Sequence, residues 1–240
     1  MKKIIFGVFA IISLSVFARG WEQIKGNGNL KKETRQAGNF SALSSSGSMD
    51  VIISYGSSSS IEVEADDNLL PYIETKLEGN KLVIRSKDKI GLSSKNKMTI
   101  RVQMTKVENL SVAGSGDIKG DGAFTNEGKT RLAIAGSGSI NLGFSHFGDV
   151  DAAISGSGDI TIKNGTSKNL DAHVSGSGKV DASQIAFDEV DAHISGSGDV
   201  KTKANKSIDA HISGSGTLYY TGSATNISTK SSGSGKVVKM

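Results

Sequence analysis

The sequence predicts an all-β fold, a right-handed, single-stranded parallel β-helix (β-solenoid) with about 20 residues per coil and Gly-Ser-Gly corners. Three observations predict it. The triplet Gly-Ser-Gly recurs at 114–116, 136–138, 156–158, 176–178, 196–198, 214–216 and 233–235, in steps of 22, 20, 20, 20, 18 and 19 residues. A nearly fixed step of this size marks a stacked repeat. The residues before each triplet alternate apolar and polar at period two, as in a strand with one buried face. No stretch beyond the first 18 residues carries helical periodicity.

Composition alone points elsewhere. The 240 residues include 30 glycines and 36 serines, a content typical of flexible linkers. The period reverses that inference, because seven triplets place 14 of the 30 glycines at corners. The single proline fits stacked strands, whose ladders proline interrupts. The absence of cysteine excludes disulfides, a thiol nucleophile and cysteine-ligated metal. A formal charge of +4 is too small to draw the chain to nucleic acid or to a membrane surface.

Taken in order, residues 1–18 read as a secretory signal peptide. Lys2 and Lys3 precede an apolar run that ends in Val16-Phe17-Ala18, a small-x-small cleavage pattern. That run is too short to span a bilayer, no later run is longer, and no cysteine follows for lipid attachment. Residues 19–37 are polar and glycine-bearing, and are expected to be loosely ordered.

Residues 38–108 read as irregular capping coils. Ile61, Val63 and Ala65 alternate with Glu62 and Glu64, and Ile100, Val102 and Met104 with Arg101 and Gln103. Glu78-Gly79-Asn80 forms a turn between two strands, and Ser46-Gly47-Ser48-Met49 is a degenerate corner with Met49 in the place of the second glycine. Residues 87–97, with four lysines, are expected to form an exposed loop. Such a cap covers an open strand edge that would otherwise aggregate. Lys236 and Lys239 are placed to protect the other end.

Residues 109–240 form the regular coils, and 38–240 a single domain. Each repeat runs strand, corner, strand, variable return. Glycine suits the corner twice over, since the bend needs φ values costly for other residues and a Cβ would crowd the corner above. The corner residues are Gly114, Gly116, Gly136, Gly138, Gly156, Gly158, Gly176, Gly178, Gly196, Gly198, Gly214, Gly216, Gly233 and Gly235. Stacked at about 4.8 Å, seven coils give a rod segment of roughly 30 Å. Right-handed winding follows from the handedness of parallel crossovers.

The segments Asn39-Phe40-Ser41-Ala42-Leu43, Met49-Asp50-Val51-Ile52-Ile53, Ile61-Glu62-Val63-Glu64-Ala65-Asp66-Asp67-Asn68-Leu69-Leu70, Lys81-Leu82-Val83-Ile84 and Leu110-Ser111-Val112-Ala113-Gly114-Ser115-Gly116-Asp117-Ile118 come in an order that resembles the head GIN domain family of Bacteroidetes-type auto-transporter adhesins. The resemblance spans about residues 38–240 and implies a β-helical fold, export and an adhesive role. It brings no catalytic residues. Five residues follow Gly235, so a membrane barrel for self-export is not expected from this sequence.

The candidate binding residues form two ladders. His173, His193 and His211 stand three residues before their first glycine, and Asp151, Asp171, Asp191 and Asp209 five before it. Stacking places both rows on one outward face. The pattern admits a metal-binding or pH-sensing reading and a plainer one, polar positions repeated by duplication with His–Asp pairing. A straight ladder lacks the convergence of a metal centre, so no metal and no cofactor are assigned. His146 is out of register, and the segment Gly122 to Gly128-Lys129-Thr130 lacks phosphate-loop spacing and a following helix. No Gly-x-Ser-x-Gly elbow occurs. One of Tyr219 and Tyr220 is expected to face outward.

The reading is therefore a non-catalytic exported binding module of the cell envelope or surface, an adhesin that presents an Asp/His/Ser face to a glycan or protein ligand. It binds no nucleic acid, carries no integral membrane segment and is compatible with a homo-oligomer. The rivals are a polysaccharide-active β-helix enzyme and a purely structural envelope rod.

Overall fold

A computed structural model describes residues 22–57 and 60–240; the expected signal peptide lies outside the described residues. The chain is all-β, 72% strand, and its stacked parallel coils form a β-solenoid of about six turns. The N-terminal part holds β1 (Glu22–Lys25), β2 (Leu30–Gln36), β3 (Ala42–Gly47), β4 (Asp50–Tyr55), β5 (Ser60–Asp66), one 3-10 turn (Leu70–Tyr72), β6 (Ile73–Glu78), β7 (Lys81–Ser86), β8 (Ile90–Ser93) and β9 (Thr99–Met104). The array follows with β10 (Asn109–Gly114), β11 (Asp117–Asp121), β12 (Thr125–Gly136), β13 (Ser139–Gly143), β14 (His146–Gly156), β15 (Asp159–Lys163), β16 (Asn169–Gly176), β17 (Lys179–Gly196), β18 (Asp199–Gly214), β19 (Thr217–Thr221), β20 (Asn226–Gly233) and β21 (Lys236–Lys239).

Two parallel stacks carry the array. Before the corner, β3, β10, β12, β14, β16, β17, β18 and β20 pair in sequence. After it, β4, β11, β13, β15, β17, β18, β19 and β21 do the same. The register keeps like over like, with Leu170, Ala172 and Val174 lying beside Val190, Ala192 and Ile194. These side chains point inward and are almost fully buried. Phe124, Phe147 and Phe187 are fully buried in the same core.

The corners stack as their glycine content requires. Gly47, Gly114, Gly136, Gly156, Gly176, Gly196, Gly214 and Gly233 form one continuous column. Each triplet serine donates its backbone N–H to the glycine carbonyl of the coil before, as in Ser177 to Gly156 at 2.9 Å and Ser197 to Gly176 at 2.8 Å. Met49 stands beside Gly116 in the degenerate corner.

Two expectations need correction. Residues 19–37 do not form a loose segment where they are described: β1 pairs in parallel with β8, and β2 runs antiparallel along β5 from Leu30↔Asp66 to Gln36↔Ser60. Residues 87–97 contain β8 rather than loop alone. β2 is charged and mostly exposed, and β8 alternates only Ile90 and Leu92 within four residues among lysines, so no sustained apolar pattern announces either; partner strands impose their extended form. The antiparallel pairs β6–β7, β5–β9 and β2–β5 close the N-terminal end with a geometry unlike the coils.

Candidate functional site

The strands before the corner present an outward face of three columns. Nearest the corner stand Ala113, Ala135, Ser155, Ser175, Ser195, Ser213 and Ser232. Two residues back, the column reads Ser111, Ala133, Ala153, His173, His193, His211 and Lys230. Two further back it reads Asn109, Arg131, Asp151, Asp171, Asp191, Asp209 and Ser228. Period-two alternation puts all three columns on the solvent side, because the residues between them fill the core.

The three imidazoles are stacked. Ring centroids lie 4.9 Å apart between His173 and His193 and 4.8 Å between His193 and His211, with planes within 16° and 15°. This spacing is that of the strands themselves. Each histidine meets the aspartate of its own coil, with Nε2 to Oδ1 distances of 2.8 Å for Asp171–His173, 3.1 Å for Asp191–His193 and 3.4 Å for Asp209–His211. In the neutral tautomer Nε2–H donates to the carboxylate and Nδ1 remains as an acceptor. The side chains stay a third to half exposed, so each pair is a repeated surface device.

Asp151 differs from the rest of its column. It accepts from Arg131 Nε at 3.1 Å and lies 3.6 Å from Lys129 Nζ, which also stands 3.7 Å from Asp171. Sequence reasoning missed these two cations, although Arg131 stands five residues before Gly136, the position that aspartate takes in later coils. The described residues contain no group of three or more His, Asp or Glu placed to hold a metal ion. His146 lies off the ladder, bonded through Nδ1 to Thr166 at 2.9 Å. Tyr220 is buried, and Tyr219 is half-buried with the Lys201 ammonium 5.6 Å from its ring centre.

Between the corner and the aspartates runs an open trough of about 740 Å³, along seven coils from Ser111 to Ser232. No carboxylate lines it. Its floor is small at one end, where Ala113, Ala133, Ala135 and Ala153 lie, and ridged at the other by His173, His193 and His211.

A family model described as "Putative auto-transporter adhesin, head GIN domain" matches residues 39–224. The chain belongs to this family. No curated protein matches the chain. Among solved structures, a "putative adhesin" from Bacteroides fragilis is similar at a TM-score of 0.81 and 22% identity, covering 90% of this chain and 100% of that one. A "putative lipid binding protein" from Parabacteroides distasonis is similar at a TM-score of 0.76 and 25% identity, covering 91% of this chain and 100% of that one. A "putative adhesin" from Parabacteroides merdae is similar at a TM-score of 0.63 and 20% identity, covering 91% and 99%. These likenesses show that the head GIN chain shares its fold with the solved structures. Among the described residues, no helix is long and apolar enough to cross a membrane.

Proposed function

We propose that this head GIN protein is an exported, non-catalytic binding module of the cell envelope, whose Asp/His/Ser face engages a repetitive glycan or an extended protein surface. The observation that carries the reading is the in-register ladder of three Asp–His pairs at one strand spacing. A repeated surface suits a repeated ligand, with affinity built from many weak contacts. The adhesin description of the family and of two of the three similar structures supports the same class.

The environment of the aspartates speaks against catalysis. Cleaving a glycosidic bond takes two carboxyl groups set on either side of the bond. Asp171, Asp191 and Asp209 instead stand in one row, each turned to the histidine of its own coil, and no carboxylate lines the trough.

The test is a glycan and matrix-protein array probed with the wild type and with the triple variant His173→Ala, His193→Ala, His211→Ala. The expected outcome is wild-type binding to a linear polymer, weakened at least about tenfold in the variant, with an unchanged melting temperature because these side chains are not core. Background signal on every probe, with normal adhesion of cells lacking the protein, would falsify the reading.

A further inference from the structure

We infer that the open cavity where the N-terminal cap meets the array takes a sugar unit bearing a carboxylate, with the sugar ring laid on Tyr55 and the carboxylate held by Arg131. This site lies apart from the Asp–His ladder and does not depend on it. An uncovered aromatic ring, an unspent guanidinium and a lysine–glutamate pair line one cavity of about 660 Å³.

Tyr55 ends β4 in the inward alternation begun by Val51 and Ile53, yet it is 52% exposed. Its ring meets the buried Phe124, with centres 6.1 Å apart and planes at 67°. Gly122 lies beside it without a side chain, since a Cβ there would come within 2.7 Å of Tyr55 Cβ. Among the described residues Tyr55 is the only exposed phenylalanine or tyrosine. Tyr72, Tyr219 and Tyr220 each carry a lysine ammonium 5.6–6.0 Å from the ring centre, whereas none of the described lysines lies over Tyr55. The negative face of such a bare ring attracts the C–H groups on one side of a pyranose.

Arg131 breaks the aspartate column of the neighbouring face. Its Nε donates to Asp151 at 3.1 Å, and among the described residues no acceptor holds its two terminal nitrogens. The side chain is 63% exposed. A guanidinium fixed through Nε presents the remaining N–H groups as a planar fork, which matches a carboxylate. Lys129 lines the same cavity, 3.6 Å from Asp151 and 3.7 Å from Asp171, and adds positive charge.

Lys106 and Glu108 complete the wall. Lys106 Nζ donates to Glu108 Oε1 at 2.6 Å, and Ser41 Oγ and Asn80 Nδ2 donate to Oε2 at 2.6 and 3.0 Å. The carboxylate is fixed, with a lone pair left on Oε1, and the ammonium keeps two N–H donors. A sugar hydroxyl both donates and accepts, so this pair meets both needs; a flat aromatic acid would leave it unused. The Lys106 bond, with those of Ser41 and Asn80, holds the Glu108 carboxyl below its ordinary range. It therefore accepts hydrogen bonds and has no proton to give a leaving group, which keeps the site one of binding. Glu127, the other acid of the cavity, lies 3.5 Å from His146 Nε2.

A single sugar unit of about 14 non-hydrogen atoms in an open site should bind with a Kd of about 1 mM. Saturation-transfer NMR titrations of the purified protein test this, with methyl glucuronide, methyl glucoside, acetate and benzoate as probes. Methyl glucuronide is expected to bind, methyl glucoside about tenfold more weakly, and acetate and benzoate not measurably. Tyr55→Ala should abolish binding of both glycosides, and Arg131→Gln should remove the preference between them, each with an unchanged circular dichroism spectrum. Should Tyr55→Ala not fold, Arg131→Gln decides, because that side chain is at the surface. No transfer from methyl glucuronide at about 20 mM overturns the inference. So does equal binding of acetate, benzoate or methyl glucoside, or a preference that survives Arg131→Gln. The triple histidine variant should bind methyl glucuronide as the wild type does. Loss of that binding would move the sugar to the ladder, overturning this site and supporting the proposed function. Methyl glucuronide binding without any array ligand would uphold this site and remove the proposed function.

Discussion

At the scale of the residue, the corner glycines serve two separate ends. The first glycine of each triplet has positive φ, +119° at Gly176 and +94° at the degenerate corner's Gly47, where other residues are strained. A Cβ at Gly176 would also run into the carbonyl oxygen of Gly156 in the coil before, closer than real Cβ contacts come. At Gly47 a Cβ would meet nothing within 4 Å. The two positions therefore separate strain from crowding. Gly47→Ala should cost roughly 1–3 kcal/mol. Gly176→Ala should cost on the order of 2 kcal/mol more, because stacked backbone must move apart. Urea midpoints of the two variants measure the difference; equal losses would mean that crowding is relieved without cost. The period of these glycines was legible in the sequence, since nothing but a stacked corner repeats them at one step. The histidine and aspartate columns were legible for the same reason. The trough was not, because the offset from the glycine places Ala133 and Ala153 in the histidine column without showing the open space above them.

At the scale of the element, the N-terminal cap shows where sequence patterns fail. β2 is charged and its side chains are almost all exposed, so its strand character comes from its antiparallel partner β5 and not from any apolar stripe. Besides the strand ladders, a buried carboxylate ties the turn between β1 and β2 and the segment after β8 to the end of β5. Asp66, at the end of β5, is fully buried. It accepts from Lys95 N at 2.9 Å, Asn96 Nδ2 at 2.6 Å and Ser94 Oγ at 3.3 Å, and the Gly28 N–H adds to these. Burial pushes its proton affinity up, and these donors more than reverse it, holding the carboxyl below its ordinary range. A carboxylate with a depressed folded pKa stabilises above its unfolded value near 4, and that stability is lost as pH falls through the folded value. Asp66→Asn should therefore melt below wild type at pH 7, and the gap should narrow as pH falls below about 4. Melting curves of both proteins across that range decide it; a gap that stays constant with pH would show that the charge itself contributes nothing.

At the scale of the molecule, the regular coils contact only their neighbours, so stability and binding should both scale with their number. Register makes this testable by removing one coil. Deleting residues 179–198 joins Gly178 to Asp199 and drops β18 onto β16. The columns then remain continuous, with Asp209 beside Asp171, Ala210 beside Ala172 and His211 beside His173, all of which already share columns through β17. The shortened protein should fold cooperatively, with a lower urea midpoint than wild type because one coil's buried contacts are gone. Its polymer binding should fall more steeply than its length, since one of three Asp–His rungs is lost from a multivalent contact. Deleting only residues 179–188 instead removes half a coil, leaves β17 without its post-corner strand and places polar side chains over the core. That variant should not fold. Circular dichroism with urea titration compares the two deletions. If both fold equally well, the coils are not the independent stacking units that the repeat implies.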